Sequence, residues 1–344
     1  MYISKDQFQQ TAVKIGLPNQ QTELFWDTLE QQANSRGAFS FSNVILYLGT
    51  LITLSAMTWF IGRGWEEFGG GGLLIIAAVY ISLFLILGNF LKRKELLIPS
   101  GLFVTLAVSM IPLAIYGLQR YTGWWILNDP GHYRDVFSWI KGEWFFMELG
   151  TVIGGAIALY FYRFPFITAP IFFALWFMSM DITPLLFSET HDLHTERLWV
   201  SLWFGVAILA IAFFIDRRTK DDYAFWGYFF GMLSFWCGLT FQEVSSEWTR
   251  FIYLMINIGL IVISVLLERR VFAIYGVLGV FVYIGALFGK YFYDSSLFPF
   301  ILSFIGVAVV FLGIWYVKNQ KKLEQFMIDS IPTSLKKWLP TSRK

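Results

Sequence analysis

The 344 residues are 56% hydrophobic and 20% aromatic but only 15% charged, with a mean hydropathy of +0.58. Soluble domains sit nearer half apolar and a quarter charged, so a water-soluble globule is excluded and a chain solvated by lipid is expected. The formal charge of +2 carries little information by itself, because the two signs separate by location along the chain.

The N-terminus, Met1-Tyr2-Ile3-Ser4-Lys5-Asp6, is polar and lacks the apolar core of a signal peptide, so insertion is expected to rely on the first span. Residues 1–40 read as a small cytoplasmic helical module. Ser4 with Gln7 makes a capping-box pattern, Phe8, Ala12 and Ile15 share a face, and Gly16 can stop the helix. Leu17-Pro18-Asn19 is a turn, and Leu24, Phe25 and Leu29 stripe a second helix. Neither helix could hold a core alone; the two fold back on each other or lie on the membrane surface.

A bilayer core of about 30 Å needs about 20 apolar residues. Ten stretches meet or approach this, near 44–61, 73–90, 97–118, 144–162, 164–180, 198–215, 223–241, 251–267, 271–289 and 297–317. The fourth and fifth are separated only by the turn at Arg163, with Pro165 placed to open the next helix. The expected fold is an all-α polytopic membrane bundle of about ten transmembrane helices in five consecutive hairpins, over residues 41–317. A basic cytoplasmic tail follows at 318–344.

Cations set the orientation. Lys92-Arg93-Lys94, Arg163, Arg217-Arg218-Lys220, Arg269-Arg270 and the lysine-rich tail fall on one side with Lys5, Lys14 and Arg36, and this side holds the larger share of the 26 Lys and Arg. Both termini are therefore expected in the cytoplasm. The returns to the basic side at Arg163, Arg217, Arg269 and Lys318 recur about every 50 residues, as a duplicated hairpin would or as any hairpins obeying the positive-inside rule would. The tail, with Ile328, Ile331, Leu335, Trp338 and Leu339 among its cations, suits either an interfacial segment or a solvated one.

Leu46-Tyr47-Leu48-Gly49, Trp65-Glu66-Glu67 after the first span and Leu118-Gln119-Arg120-Tyr121 after the third carry a family resemblance. Residues 42 to 128 resemble the N-terminal part of a family of predicted bacterial inner-membrane proteins of unknown function, which pair a short cytoplasmic helical segment with paired membrane helices. The resemblance implies an inner-membrane location and topology, and no activity.

Chemistry-bearing residues gather on the expected outer side. His132, His191 and His194 all fall there, and His191 and His194, three apart, would share a face on a helical turn with Glu189 or Asp192 as oxygen donors. That set could take zinc or another divalent ion, or simply keep a loop hydrated. Glu148 lies about one turn into the fourth stretch, and Asp181 and Glu243 lie just beyond the fifth and seventh. With Arg120 they could line an outward-facing polar vestibule for a small or lipid-like solute; interfacial ion pairing is the plainer reading. The middles of the spans are almost free of charge, which argues against a proton-coupled carrier.

Gly150-x-x-x-Gly154, Gly227-x-x-x-Gly231 and Gly285-x-x-x-Gly289 offer close helix approach. Gly69 to Gly72 reads as a flexible outer turn, and the fifth span is expected to kink near Pro170. Rings such as Trp124, Trp125, Trp139, Trp144 and Trp248 suit the membrane interface, and the segment 119–143 suits a surface-lying amphipathic helix. The lone Cys237, in an apolar run, makes neither a disulfide framework nor a thiolate metal site. No nucleotide-binding, nucleophile-elbow or metalloprotease motif occurs, so neither a cofactor nor a nucleic-acid partner is expected. The expected function is non-enzymatic: solute binding or transport, or a scaffold or sensor acting through the N-terminal module and basic tail.

Overall fold

The computed structural model describes residues 41–64, 68–125, 144–187, 193–219, 221–242 and 246–291, with scattered positions on either side. Glu243, His132, His191, residues 126–143, most of 297–317 and the tail lie outside the described residues. Backbone contacts divide the chain into two compact units, Met1–Ala56 and Met57–Lys344.

In the first unit, Gly16 adopts a left-handed φ of 76° and Leu17 N donates to Ala12 O at 3.0 Å. That is the Schellman stop expected of a glycine just past a helix end. Phe8 stacks on Phe25 at 6.0 Å and tilts against Trp26 at 5.3 Å, so the chain folds back on itself here. Ala12 and Thr22 are buried, whereas Leu24 and Phe25 remain exposed. The second helix therefore leaves Leu24 and Phe25 of its stripe exposed, and Leu29 lies outside the described residues.

The helices are α1 (Phe41–Gly64), α2 (Gly69–Arg93), α3 (Leu97–Ser109), α4 (Ile111–Thr122), α5 (Phe145–Tyr162), α6 (Thr168–Asp181), α7 (Thr183–Leu186), α8 (Leu193–Arg218), α9 (Phe225–Thr240), α10 (Glu247–Leu266) and α11 (Arg270–Tyr291). A single 3₁₀ turn, Pro165–Ile167, precedes α6, and no strand occurs among the described residues. Among the described residues, six helices are long and apolar enough to cross a membrane: Gly69–Arg93, Leu97–Thr122 (α3 and α4 together), Phe145–Tyr162, His194–Arg218, Glu247–Leu266 and Arg270–Leu287. Two shorter apolar helices, Asn43–Met57 and Pro165–Asp181, accompany them.

The side-chain distribution is that of a bundle in lipid. On α2, Ile75, Val79, Leu83, Ile86 and Phe90 fall on one exposed stripe, while Leu73, Ala77, Phe84 and Gly88 are buried opposite. Exposing such a stripe to water would cost about 25 cal/mol per Å²; hydrocarbon exacts no such cost. Polar groups turn inward instead. Ser100 Oγ donates across to Gly88 O at 2.8 Å, and Ser179, Ser201 and Ser234 join α6, α8 and α9 through hydroxyl contacts of 3.2 and 3.3 Å.

Short connections decide the tightest pairings. α2 packs on α3 and α4, α5 on α6, α8 on α9 and α10 on α11, each pair joined across one of the basic turns near 93–97, 163–165, 218–225 and 266–270. Helices linked by a few residues become antiparallel neighbours. The pairs joined at the opposite end, α4 with α5, α6 with α8 and α9 with α10, are packed less closely.

Proline acts where position makes it matter. Pro112 lacks the donor that would continue the ladder, and the helix breaks at Met110 between α3 and α4. Pro170 does not kink α6, contrary to expectation, because it lies in the first turn where amide donors have no intrahelical partner. The interruption comes instead at Ile182, two residues before Pro184.

Gly69 to Gly72 is not a flexible turn. These glycines form the first turn of α2, with Gly70 and Gly71 set hard against the end of α4. A Cβ on Gly70 would lie 2.3 Å from Tyr121 N, and one on Gly117 would lie 2.6 Å from Leu74 N and 3.0 Å from Gly70 O. Glycine is required because the obstructing atoms are backbone. Of the three paired-glycine motifs, Gly150 and Gly154 receive Ile115 and Ile111 of α4, and Gly227 and Gly231 receive Phe172, Ala212 and Ile208. Among the described residues, Gly285 has nothing within 4 Å of its Cβ direction. Gly117→Ala is accordingly expected to lower the unfolding midpoint in detergent by an amount equivalent to about 1–3 kcal/mol. Gly285→Ala should be neutral or stabilising by up to about 1 kcal/mol; equal shifts in the two variants would contradict the packing argument.

Candidate functional site

At the end of the bundle opposite the basic turns, three helices bring charged groups together. α5 opens at Phe145 and carries Glu148 in its first turn, where the partial positive charge of the helix N-terminus favours an acid. Met147, Glu148, Thr151 and Gly155 form its buried face, so the carboxyl points into the protein. α6 closes on Asp181, which is fully buried. The Glu148 and Asp181 carboxyls are apposed closely enough to interact directly, yet neither Glu148 oxygen completes a hydrogen bond of ordinary geometry among the described residues. Arg197, one turn into α8, supplies a compensating charge to Asp181.

Buried neutral polar groups stand at the same end. Gln119 on α4 is 3% exposed, and neither its amide nitrogen nor its amide oxygen has a hydrogen-bond partner among the described residues. The Thr183 hydroxyl, just past Asp181, is likewise buried without one. Gln119 and Thr122 face a groove of about 490 Å³ between α4 and α5, walled by Trp124, Phe146, Leu149 and Ile153. Trp124 and Phe146 close its rim with ring centroids 4.8 Å apart. The groove and the carboxyl pair lie on adjacent faces of α5, since Leu149, Gly150 and Ile153 face one and Glu148 the other.

Two buried acids brought together are costly unless a proton, a cation or a hydrogen-bond donor stands between them. The arrangement can therefore receive a donor-bearing or cationic group from one side while Arg197 steadies Asp181 from the other.

Of the residues singled out from sequence, Glu148 and Asp181 are brought together. Arg120, near the C-terminus of α4, is exposed, and its backbone meets Gly70 of α2 rather than the carboxyl pair. His194 is exposed in the first turn of α8. No group of three or more His, Cys, Asp or Glu residues is placed to hold a metal ion among the described residues.

A second charged constellation, at the basic end, was not picked out from the sequence. Arg269, between α10 and α11, donates from Nη2 to Asp216 Oδ1 at 2.5 Å and from Nε to Asp216 Oδ2 at 3.2 Å. Its Nη1 reaches both oxygens of Asp222, at 2.8 and 3.1 Å. Tyr228 OH donates to Asp216 Oδ2 at 3.3 Å, and the guanidinium lies 5.3 Å from the Tyr228 ring centre. Burial works against the Arg269 cation, but the Asp216 hydrogen bonds and the charge of Asp222 more than offset it, so its pKa lies above the usual arginine value. Nearby, Tyr223 OH donates to Arg163 O; burial and Asp221 push its phenol up from the ordinary value, with Arg163 opposing. These contacts clasp the α8–α9, α10–α11 and α5–α6 connections, a structural role.

No family model matches the chain, and no similar curated protein or solved structure was found.

Proposed function

We propose that the chain is a bacterial inner-membrane protein with about ten spans and both termini in the cytoplasm, and that it binds or moves a small or lipid-like solute at its outer end. The observation that supports this most directly is the buried Glu148–Asp181 pair with Arg197 beside it. Ionisable groups inside a membrane bundle are expensive and mark solute or ion paths by default. The solute class follows from two buried carboxyls brought together: a cationic or hydrogen-bond-donating group, with an apolar remainder suited to the groove beside Gln119.

The test is reconstitution in vesicles against a panel of small amines, polyols and single-chain amphiphiles, comparing the native protein with Glu148→Gln. Binding or flux of at least one class, lost in Glu148→Gln, is expected. No binding or flux across the panel, together with a silent Glu148→Gln in cells, would sink the proposal. The compact Met1–Ala56 unit favours the scaffold or sensor reading in that event. Deleting residues 1–36 would then abolish the cellular phenotype while leaving insertion intact.

A further inference from the structure

A second groove, of about 390 Å³, runs between α2, α3–α4 and α5 on the half of the bundle nearest the basic turns. Its walls are Ile81, Leu85, Ile111, Ile157 and Ala158, and its polar groups, Asn89, Lys92 and Tyr162, all lie at the basic end. From Ile81 to Lys92 the groove follows α2 for about 16 Å at 1.5 Å per residue. That is close to half of the ~30 Å hydrocarbon core, the depth of one leaflet.

The polar end is organised. Lys92 Nζ donates to Phe161 O at 3.1 Å and stands 4.8 Å from the Tyr162 ring centre. Tyr162 OH donates to Asn89 Oδ1 at 2.8 Å. An ammonium has three donors, and this one, on an exposed side chain, has capacity left for an anion at the mouth. Arg93 and Lys94 follow it and are also exposed, with Glu95 the carboxylate of the same turn.

We propose that this groove is a binding site for an anionic phospholipid, one acyl chain lying between α2 and α5 and the phosphate of its headgroup meeting Lys92. An apolar channel one leaflet deep selects an acyl chain; a cation fixed at its interfacial end selects negative charge over a zwitterion. The site stands apart from Glu148, and its failure leaves the outer-end proposal untouched.

Native mass spectrometry of the full chain in mild detergent, offered equimolar phosphatidylglycerol and phosphatidylcholine, reads it directly. One phosphatidylglycerol per chain is expected to be retained, with a preference of about fivefold, the effect of one lysine near an anionic headgroup. Lys92→Gln should bring the two lipids near parity, and Lys92→Arg should keep the preference. Ala158→Trp, which fills the groove, should remove retention of both lipids. Equal retention of the two lipids by the native chain, an unchanged preference in Lys92→Gln, or full retention in a folded Ala158→Trp would each overturn the proposal. Lys92 is exposed, so its variants carry the test even if the tryptophan variant does not fold.

Discussion

Replacing Arg269 with methionine should destabilise the protein by about 3–5 kcal/mol, the cost of breaking a buried ion pair from one side. The side chains of Arg269 and Asp216 are 13% and 3% exposed, so without the guanidinium the buried Asp216 carboxylate loses its bonds of 2.5 and 3.2 Å to the cation that neutralises it. Its partner Asp222 is 44% exposed and can fall back on water, so Asp222→Asn should cost about 1 kcal/mol or less. The double variant Asp216→Leu with Arg269→Met removes both charges and should cost far less than the two single changes summed, because no uncompensated charge remains. Unfolding titrations of the native chain, Asp216→Leu, Arg269→Met and the double variant in one detergent close the cycle. Additive losses would show that the two residues do not act as a pair.

That clasp shows where reading the chain stops. Arg269 was visible as a topology cation, since any Arg-Arg after an apolar run serves that rule. Its bond to Asp216 spans 53 positions, and no local pattern encodes it. The helices themselves were legible because lipid imposes one demand on every span, a run of apolar residues long enough to cross. Pro112 broke its helix and Pro170 did not, because what matters is whether a proline follows four residues of established helix. Gly69 to Gly72 read as a turn from composition alone. Only the partner helix, through Gly117 and the backbone of Arg120 and Tyr121, reveals that Gly70 is there for backbone contact.

The carboxyl cluster was half legible for the same reason. Glu148 stood out as an acid one turn inside an apolar run, and Asp181 as an acid at the end of another. Arg197 read as an outer-side cation, and Gln119 as part of a short motif. What brought the acids together is the contact of α5 with α6 across the turn at Arg163, and what added Arg197 is the start of α8 at Leu193, earlier than its hydropathy marks. A buried glutamine without a partner has no sequence signature at all.

Opposite signs are expected when the two acids are changed one at a time. Glu148→Gln keeps the shape, removes one of two apposed carboxyls and provides an amide donor toward Asp181. An unsatisfied buried polar group costs about 1–3 kcal/mol, and relieving it should raise the unfolding midpoint or at least leave it unlowered. Asp181→Ala does the reverse. It opens space at a fully buried position and takes from Arg197 the carboxylate that stabilises its charge, a loss of about 2 kcal/mol on the same scale. Thermal unfolding in detergent separates the outcomes, and loss of similar size in both variants would mean that Glu148 and Asp181 support the fold together rather than oppose each other. A Glu148→Gln protein that is as stable as the native chain, yet binds no solute, is the signature of a group placed for function at the expense of stability. Such groups are tolerated where the surrounding packing holds them, and here Met147, Thr151 and Gly155 on α5 and Met178 and Ser179 on α6 are all buried around the pair.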